Sequence, residues 1–353
     1  MLFLLSGAPA IFGFFGFNTV RAIAEAKFAK VDIARTHSLE SLYEAFQNRQ
    51  GDAFVVQVLF QDERVAQLMR RTQTKLVIFD SSLTDIFCFG MRNEHTKFPI
   101  ALRLATLSIA SQVLMSDVAS VVRYERPTPE SRLLSLIQSL VLFYGLEPEP
   151  ELIEKVAKAL SVDSLTSRTT VEEGMSANFP GRISSETVLS RLSHEQRTIV
   201  ARLDEAYGQL IASGGTKTIA WPVEALSLLD TQEVVQAPFP LVGPARTLVS
   251  GPNLHLPAGR WLMEIVFGIE ENGSGNRLKI EVKEARRPRG KQEIDLPKRG
   301  RLAVTIAFEV EETKHAVGIE IATMEGAIEG MLSVESMRLR RIGAPVLQPA
   351  TEA

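Results

Sequence analysis

One cysteine among 353 residues, Cys88, rules out an internal disulfide. A chain without that staple relies on buried apolar surface and suits a reducing compartment, so a cytoplasmic location is expected. Histidine is nearly as scarce: His37, His95, His194, His255 and His315 lie far apart, with no metal-ligand spacing to one another or to the cysteine. Neither structural zinc nor a zinc enzyme is expected from that pattern. An excess of one charge is also missing, since 39 basic residues face 42 acidic ones for a net charge of −3. Nothing therefore draws the whole protein to nucleic acid. Charge is absent altogether from the opening of the chain, where the first ionisable side chain is Arg21. A signal peptide would want a basic start. A spanning helix would carry Gly7, Pro9, Gly13 and Gly16 in its interior, at about 1 kcal/mol per glycine and roughly 3 for proline. A buried strand and loop is the expected form of this stretch. Its rival is membrane anchoring through residues 1–20, which would require an exposed apolar helix.

What is present begins as strand, loop and helix. A short apolar run, Leu2 to Leu5, meets Ser6-Gly7-Ala8-Pro9, and a helical pattern follows from about Thr19. In that context backbone N–H groups and a helix N-terminus cradle phosphate. A working loop also carries basic and hydroxyl side chains between its glycines, but here the slots hold Ala10, Ile11, Phe12, Gly13, Phe14 and Phe15. The scaffold suggests a nucleotide-dependent transferase whose nucleotide is no longer bound.

Apolar content of 45% supports ordinary globular cores, and the length allows two domains. The first 150 residues alternate in the α/β manner. Helices are expected at Val20–Lys30, from Ser38 with a capping-box-like start, at Glu63–Arg71, at Ile100–Ala119 and at Glu130–Tyr144. Strands are expected at Ala53–Phe60, from Lys75 to Asp80, and at Val121–Tyr124. Runs apolar on both faces belong to parallel sheets covered by helices. Helices follow at Glu151–Leu160 and Ser193–Ile211, separated by a polar, Pro- and Gly-punctuated stretch. Residues 216–240, with Pro222, Pro238 and Pro240, read as a linker or docking segment, and Trp221 as a pin between domains. Beyond Leu241 the runs starting at Trp261, Arg277, Leu302, Ala316 and Leu332 are β-rich, and several alternate with period two between turn signals such as Asn272-Gly-Ser-Gly. Such strands without intervening helices predict an antiparallel β-sandwich. The fold class is thus α/β, a parallel sheet flanked by helices, followed by an antiparallel β-sandwich. The domains run 1–215, 216–240 as linker and 241–345, with 346–353 as a disordered tail.

With the pieces in this order, residues 1–212 resemble the sulfotransferase family that uses 3′-phosphoadenosine 5′-phosphosulfate. Val122-Arg-Tyr-Glu, a proline and a long helix to Leu142-Phe-Tyr-Gly-Leu resemble one family segment. Asn178-Phe-Pro-Gly-Arg and Leu192-Ser-His-Glu-Gln resemble a later one, and Ser6-Gly7-Ala8-Pro9 stands at the family's phosphate loop. The likeness covers about 60% of the chain and implies a P-loop-type α/β fold. Both cofactor motifs depart from it. Where the family loop brings a basic residue and hydroxyls to the 5′-phosphosulfate, this chain has Ala10 to Phe14, with only Gly7 and Gly13 kept. Where the family places an Arg and a Ser on the 3′-phosphate, it has Asp80 and Cys88. An acid repels phosphate, and each lost charge-assisted hydrogen bond costs about 1.5–3 kcal/mol of affinity. The resemblance therefore implies a degenerate member with no cofactor and no catalytic residue; Gly7, Ala10, Phe12, Gly13, Phe14, Asp80 and Cys88 are the altered or leftover positions.

Other candidates are weighed beside it. Phe12, Phe14, Phe15 and Phe17 either line a lipid pocket or, as large apolar side chains tend to, fill the vacated nucleotide cleft. His95, near Arg92 and Glu94, lacks an identifiable acid–base partner, and Cys88 reads as a buried core thiol. Lys283, Arg286, Arg287, Arg289, Lys291, Lys298, Arg299 and Arg301 form a basic cluster in a connection between strands, diluted by Glu284, Glu293 and Asp295. It is either a patch for an anionic glycan, phospholipid or protein, or a solvated hairpin loop. It lacks the interleaved aromatics of a nucleic-acid surface. Trp261 shares its parity with Met263, Ile265 and Phe267, which places it on the core face. Two functional readings remain. One is a non-catalytic sulfotransferase-like protein for recognition or scaffolding in bacterial surface polysaccharide or glycoconjugate biosynthesis, with a glycan or protein partner on the sandwich. The other is an active transferase with a rebuilt site for a carbohydrate or lipid acceptor. The first predicts a cleft plugged by phenylalanines. The second predicts an open cleft beside residues 7–16, lined by cations such as Arg21 and Arg92.

Overall fold

A computed structural model describes residues 1–343 except 61–62, 94, 117, 119, 229–234 and 236–237. The tail at 346–353 and the last residue of the expected helix to Ala119 lie outside the described residues. The chain divides into two compact units, Met1–Ser108 with Leu114–Arg191, and Ile109–Val113 with Leu192–Ala353.

The first unit opens with β1 (Leu2–Gly7), α1 (Ile11–Lys27), β2 (Val31–Thr36), α2 (Leu39–Gln47), β3 (Ala53–Val58) and α3 (Glu63–Thr72). It continues with β4 (Leu76–Phe79), α4 (Leu83–Gly90), α5 (Phe98–Val113), which runs on into the residues of the second unit, and β5 (Val121–Tyr124). The helices α6 (Leu133–Phe143), α7 (Pro150–Ala159), α8 (Val171–Asn178) and α9 (Ser185–Ser190) complete it. Its sheet has the order β2-β3-β1-β4-β5 with every pair parallel. Residues 2–7 are thus the central strand of a sheet rather than part of an exposed apolar helix. No helix among the described residues is long and apolar enough to cross a membrane.

Strand periodicity divides the core in two. On one face Phe3, Leu5, Val55, Val77 and Phe79 pack with Phe12, Phe15 and Phe17 of α1 and with Leu133, Ile137 and Leu140 of α6. On the other, Leu4, Val56, Val58 and Ile78 pack with Val65, Ala66 and Met69 of α3. Several helices are started by side-chain caps: Ser38 and Thr170 form capping boxes, and Ser82 and Ser184 accept from the N3 amide. Such caps are each worth about 1 kcal/mol.

The second unit holds α10 (His194–Ala212), β6 (Ile219–Trp221), β7 (Ser227–Leu228), β8 (Phe239–Pro240), β9 (Thr247–His255), β10 (Gly259–Glu270) and β11 (Arg277–Glu284). Then come β12 (Arg287–Asp295), β13 (Gly300–Val310), β14 (Ala316–Thr323) and β15 (Met331–Gly343). They form two antiparallel sheets, β13-β10-β15-β6 with β8 beside β15, and β12-β11-β14-β9-β7. Alternation along β10 buries Trp261, Met263, Ile265 and Phe267, and Leu278, Ile280, Val317, Ile319 and Ile321 are buried on the other sheet. Residues 216–240 were expected as a linker, yet Ile219–Trp221 pairs with β15 and Ser227–Leu228 with β9. Likewise α10, read above with the first domain, falls in the second unit.

Candidate functional site

The loop leaving β1 is three residues long. Gly7 ends the strand and Ile11 begins α1, so the phenylalanine-rich stretch expected as loop, with helix only from about Thr19, is the first part of a helix. Its two leftover glycines serve close packing. A Cβ on Gly13 would sit 2.3 Å from the Ala8 carbonyl oxygen, and one on Gly7 would sit 3.0 Å from the Gly13 Cα. Further along, a Cβ on Gly16 would lie 2.4 Å from the Phe79 ring. The Ala10 amide, a natural phosphate donor, turns back to the Ala8 carbonyl at 2.7 Å. Ala10 is the N-cap and offers no side-chain bond, which leaves the amides of the first turn without an intrahelical acceptor.

The phenyl rings do not plug the space in front of this helix. Phe15 and Phe17 are buried in the core beneath the sheet, and Phe12 meets Phe79 edge-on at 5.3 Å between centroids. Phe14 lies 5.2 Å from Phe89, with the Arg35 guanidinium over its ring. The expectation of a filled cleft is therefore corrected: helical periodicity carries most of the rings to the sheet, leaving a cleft of about 330 Å³ against Ala10, Ile11 and Phe12. Its walls bring together Ser81 after β4, Asp85 of α4, Arg92 after α4, Arg126 after β5, Glu172 and Met175 of α8, and residues 182–186.

Three arginines and three carboxylates line this cleft, so its charge is nearly balanced. Arg126 pairs with Asp85 at 3.2 Å, and Ser185 Oγ donates to the same carboxylate at 3.1 Å. Arg182 pairs with Glu172 and donates to Ser176 Oγ at 3.1 Å. Arg92 differs: its Nη2 donates to the Ile183 carbonyl at 2.6 Å, and its buried Nε has no partner. Burial first, and then the nearby Arg182, pull the Arg92 guanidinium below its ordinary pKa. Ser81, only 4% exposed, also has an Oγ without a partner. Sequence reasoning placed Arg92 near this site but missed Arg126 and Arg182. Arg21, proposed beside it, pairs with Glu25 one turn along α1 at 2.7 Å and does not line the cleft.

The second set of altered positions is explained by packing. Asp80, following β4, accepts from Arg123 of β5 at 2.9 Å. Burial pushes its carboxyl above the ordinary range, against the pull of Arg123. Asp80 thus joins two strand ends. Cys88 is buried in α4, with Sγ 3.6 Å from the Ser185 carbonyl. His95 is exposed in a turn, its amide bonded to Asn93 Oδ1 at 3.1 Å.

On the second unit half of the basic cluster is paired: Lys283, Arg289, Lys291 and Arg301 each meet a carboxylate. Arg287–Asp295 is a strand, not a loop, joined to β11 by a turn in which Ala285 and Arg286 take φ of 47° and 71°. Lys283 pairs with Glu320 at 2.5 Å and Lys291 with Glu293 at 2.6 Å, while Arg301 pairs with Glu335. Arg289 binds the buried Glu284 at 2.8 Å and also Glu311. Glu284 accepts in addition from the amides of Glu311 and Glu312, each at 3.0 Å. Trp261 is fully buried and donates to the Pro257 carbonyl at 3.0 Å; Trp221 is 2% exposed. No large aromatic side chain is exposed on this unit among the described residues. No cluster of potential metal ligands occurs among the described residues either.

No protein-family model matches this sequence. No curated protein matches it either. Among solved structures, mouse sulfotransferase SULT7A1 complexed with PAP is similar over 60% of this chain and 86% of its own, with 11% identity and a TM-score of 0.39. The carbohydrate-binding module TmCBM61, in complex with β-1,4-galactotriose, is similar over 36% of this chain and 88% of its own, with 14% identity and a TM-score of 0.23. The C-terminal CBM6 of a Zobellia galactanivorans laminarinase is similar over 35% of this chain and all of its own, with 14% identity and a TM-score of 0.23.

Proposed function

We propose that this protein is a non-catalytic, sulfotransferase-like recognition or scaffolding protein acting in the assembly of surface polysaccharides or glycoconjugates. The observation that carries the reading is the state of the nucleotide grip. A doubly phosphorylated nucleoside must be held at two anionic ends, and each contact supplies about 1.5–3 kcal/mol. Here the end of the loop and the first turn of α1 present Ala10, Ile11 and Phe12. The second anchoring position is an aspartate already bonded to Arg123. Two of the three cleft arginines are bonded to carboxylates. The α/β unit is then a packed platform, and the sandwich presents charged faces to a glycan or protein. Calorimetric titration with adenosine 3′,5′-bisphosphate tests this: no heat of binding at micromolar concentrations is expected, and micromolar affinity refutes it.

One observation favours a second reading. The cleft at the start of α1 is open and arginine-lined, as a rebuilt transferase site on a carbohydrate or lipid acceptor requires. Sulfate transfer from the activated nucleotide to a mixed glycan acceptor pool, followed with labelled sulfate, would decide for it.

A further inference from the structure

Arg92 carries a half-buried positive charge with no carboxylate in ion-pair range among the described residues. The other two arginines of the cleft each have one. Asp85, an acid of the same wall, is occupied on one oxygen by Ser185 and on the other by Arg126. Arg92 has a single carbonyl acceptor, the Phe89 ring 5.3 Å from its guanidinium carbon and a buried Nε without a hydrogen-bond partner, and Arg182 repels its charge more than Asp85 attracts it. Water in the cleft can satisfy the N–H, but a half-buried charge without a direct ion pair is under-compensated. Ser81 supplies a second unpaired donor: it lines the same cleft, is 4% exposed, and its Oγ has no partner. The cleft also opens on the uncapped first turn of the 17-residue helix α1, whose free amides and dipole favour an anion.

We infer that this cleft binds one oxyanion, a sulfate, phosphate or carboxylate, against Arg92 and Ser81, and that the anion is a substituent of an acidic saccharide. The balanced charges of the remaining wall suit a single anionic group attached to a neutral, hydroxyl-rich body. At about 330 Å³ the space exceeds one oxyanion and leaves room for a sugar ring. The saccharide origin rests on the recognition role proposed above; the anion site does not.

The test uses the full chain in thermal-shift and calorimetric titrations. Sodium sulfate is compared with sodium chloride at matched ionic strength, and with N-acetylglucosamine 6-sulfate. Sulfate is expected to raise the melting temperature beyond chloride, and the sugar sulfate to bind more tightly than inorganic sulfate. Arg92→Gln should abolish the calorimetric binding of both and leave only the general salting stabilisation by sulfate. Ser81→Ala should weaken binding about tenfold, the worth of one charge-assisted bond. An equal response in Arg92→Gln, or none in the parent, overturns the anion site. Binding of inorganic sulfate with no gain from the sugar overturns the saccharide occupant and upholds the site. Binding of adenosine 3′,5′-bisphosphate would refute the non-catalytic reading while leaving the anion site standing, so the two failures are distinct.

Discussion

Gly13→Ala puts the packing account of the opening glycines at risk. In most helix interiors this exchange stabilises, because alanine is better than glycine by about 1 kcal/mol in helix propensity. At Gly13 the added methyl carbon would stand 2.3 Å from the Ala8 carbonyl oxygen. That is more than half an ångström inside any tolerable contact, and the obstacle is backbone, which cannot rotate away. Relief requires α1 to move off the end of β1, where Gly7 and Gly13 are already in contact. Overpacking of this kind costs about 1–3 kcal/mol, and the distance and rigidity argue for the upper part of that range. Net destabilisation of about 1–2 kcal/mol is expected after the propensity gain is subtracted. Gly208 provides the control: it lies inside α10 with nothing within 4 Å of the added carbon. There Gly→Ala should stabilise by about 0.5–1 kcal/mol. Urea unfolding followed by far-ultraviolet circular dichroism, with the slope checked for constancy, reads both. Should Gly13→Ala prove neutral or stabilising, the glycines are not retained for packing and their place in a phosphate loop must be reconsidered.

Three further outcomes are expected. Asp32 accepts from the amides of Gln50 and Gly51, each at 2.5 Å, and these bonds hold its carboxyl below its ordinary value of 3.8. A lowered native pKa stabilises above the unfolded value and is lost as pH falls through the native one. Asp32→Asn should therefore be less stable than the parent at pH 6 and equal to it near or below the lowered native value, in urea midpoints measured across that range. Glu284→Ala removes a buried carboxylate serving Arg289 and two amides, and should cost the second unit about 3 kcal/mol in denaturant unfolding. Tyr207→Phe deletes a buried bond to the His255 carbonyl at 2.7 Å, worth about 1 kcal/mol in the same assay.

Legibility in the sequence followed how strongly a single force acted on each segment. Strands β3, β4, β10 and β13 were read because burial on one or both faces leaves an unbroken or alternating apolar pattern. Strand β12 was missed because charged residues alternate with Pro288, Gly290 and Gln292 and no position is fully buried. Strand β9 was missed because Gly251-Pro252 interrupts its apolar pattern. The start of α1 was misplaced since glycine, proline and phenylalanine oppose a helix locally, and packing against Phe79 overrides them. The cleft was the least legible part. Arg92, Arg126 and Arg182 are remote from one another in sequence, and only the strand order β1-β4-β5 and the return of α8 and α9 gather them. Two facts are plain in the residues alone: no charge precedes Arg21, and an acid stands at position 80.

Strand β12 also limits how a partner can dock. It forms one rim of its sheet, and Lys291, Glu293 and Asp295 alternate onto one of its faces, opposite Gly290, Gln292 and Ile294. A peptide adding itself there as an extra strand would run beside a row of hydrated charge on that face. Polymerisation through that margin is discouraged from the outset.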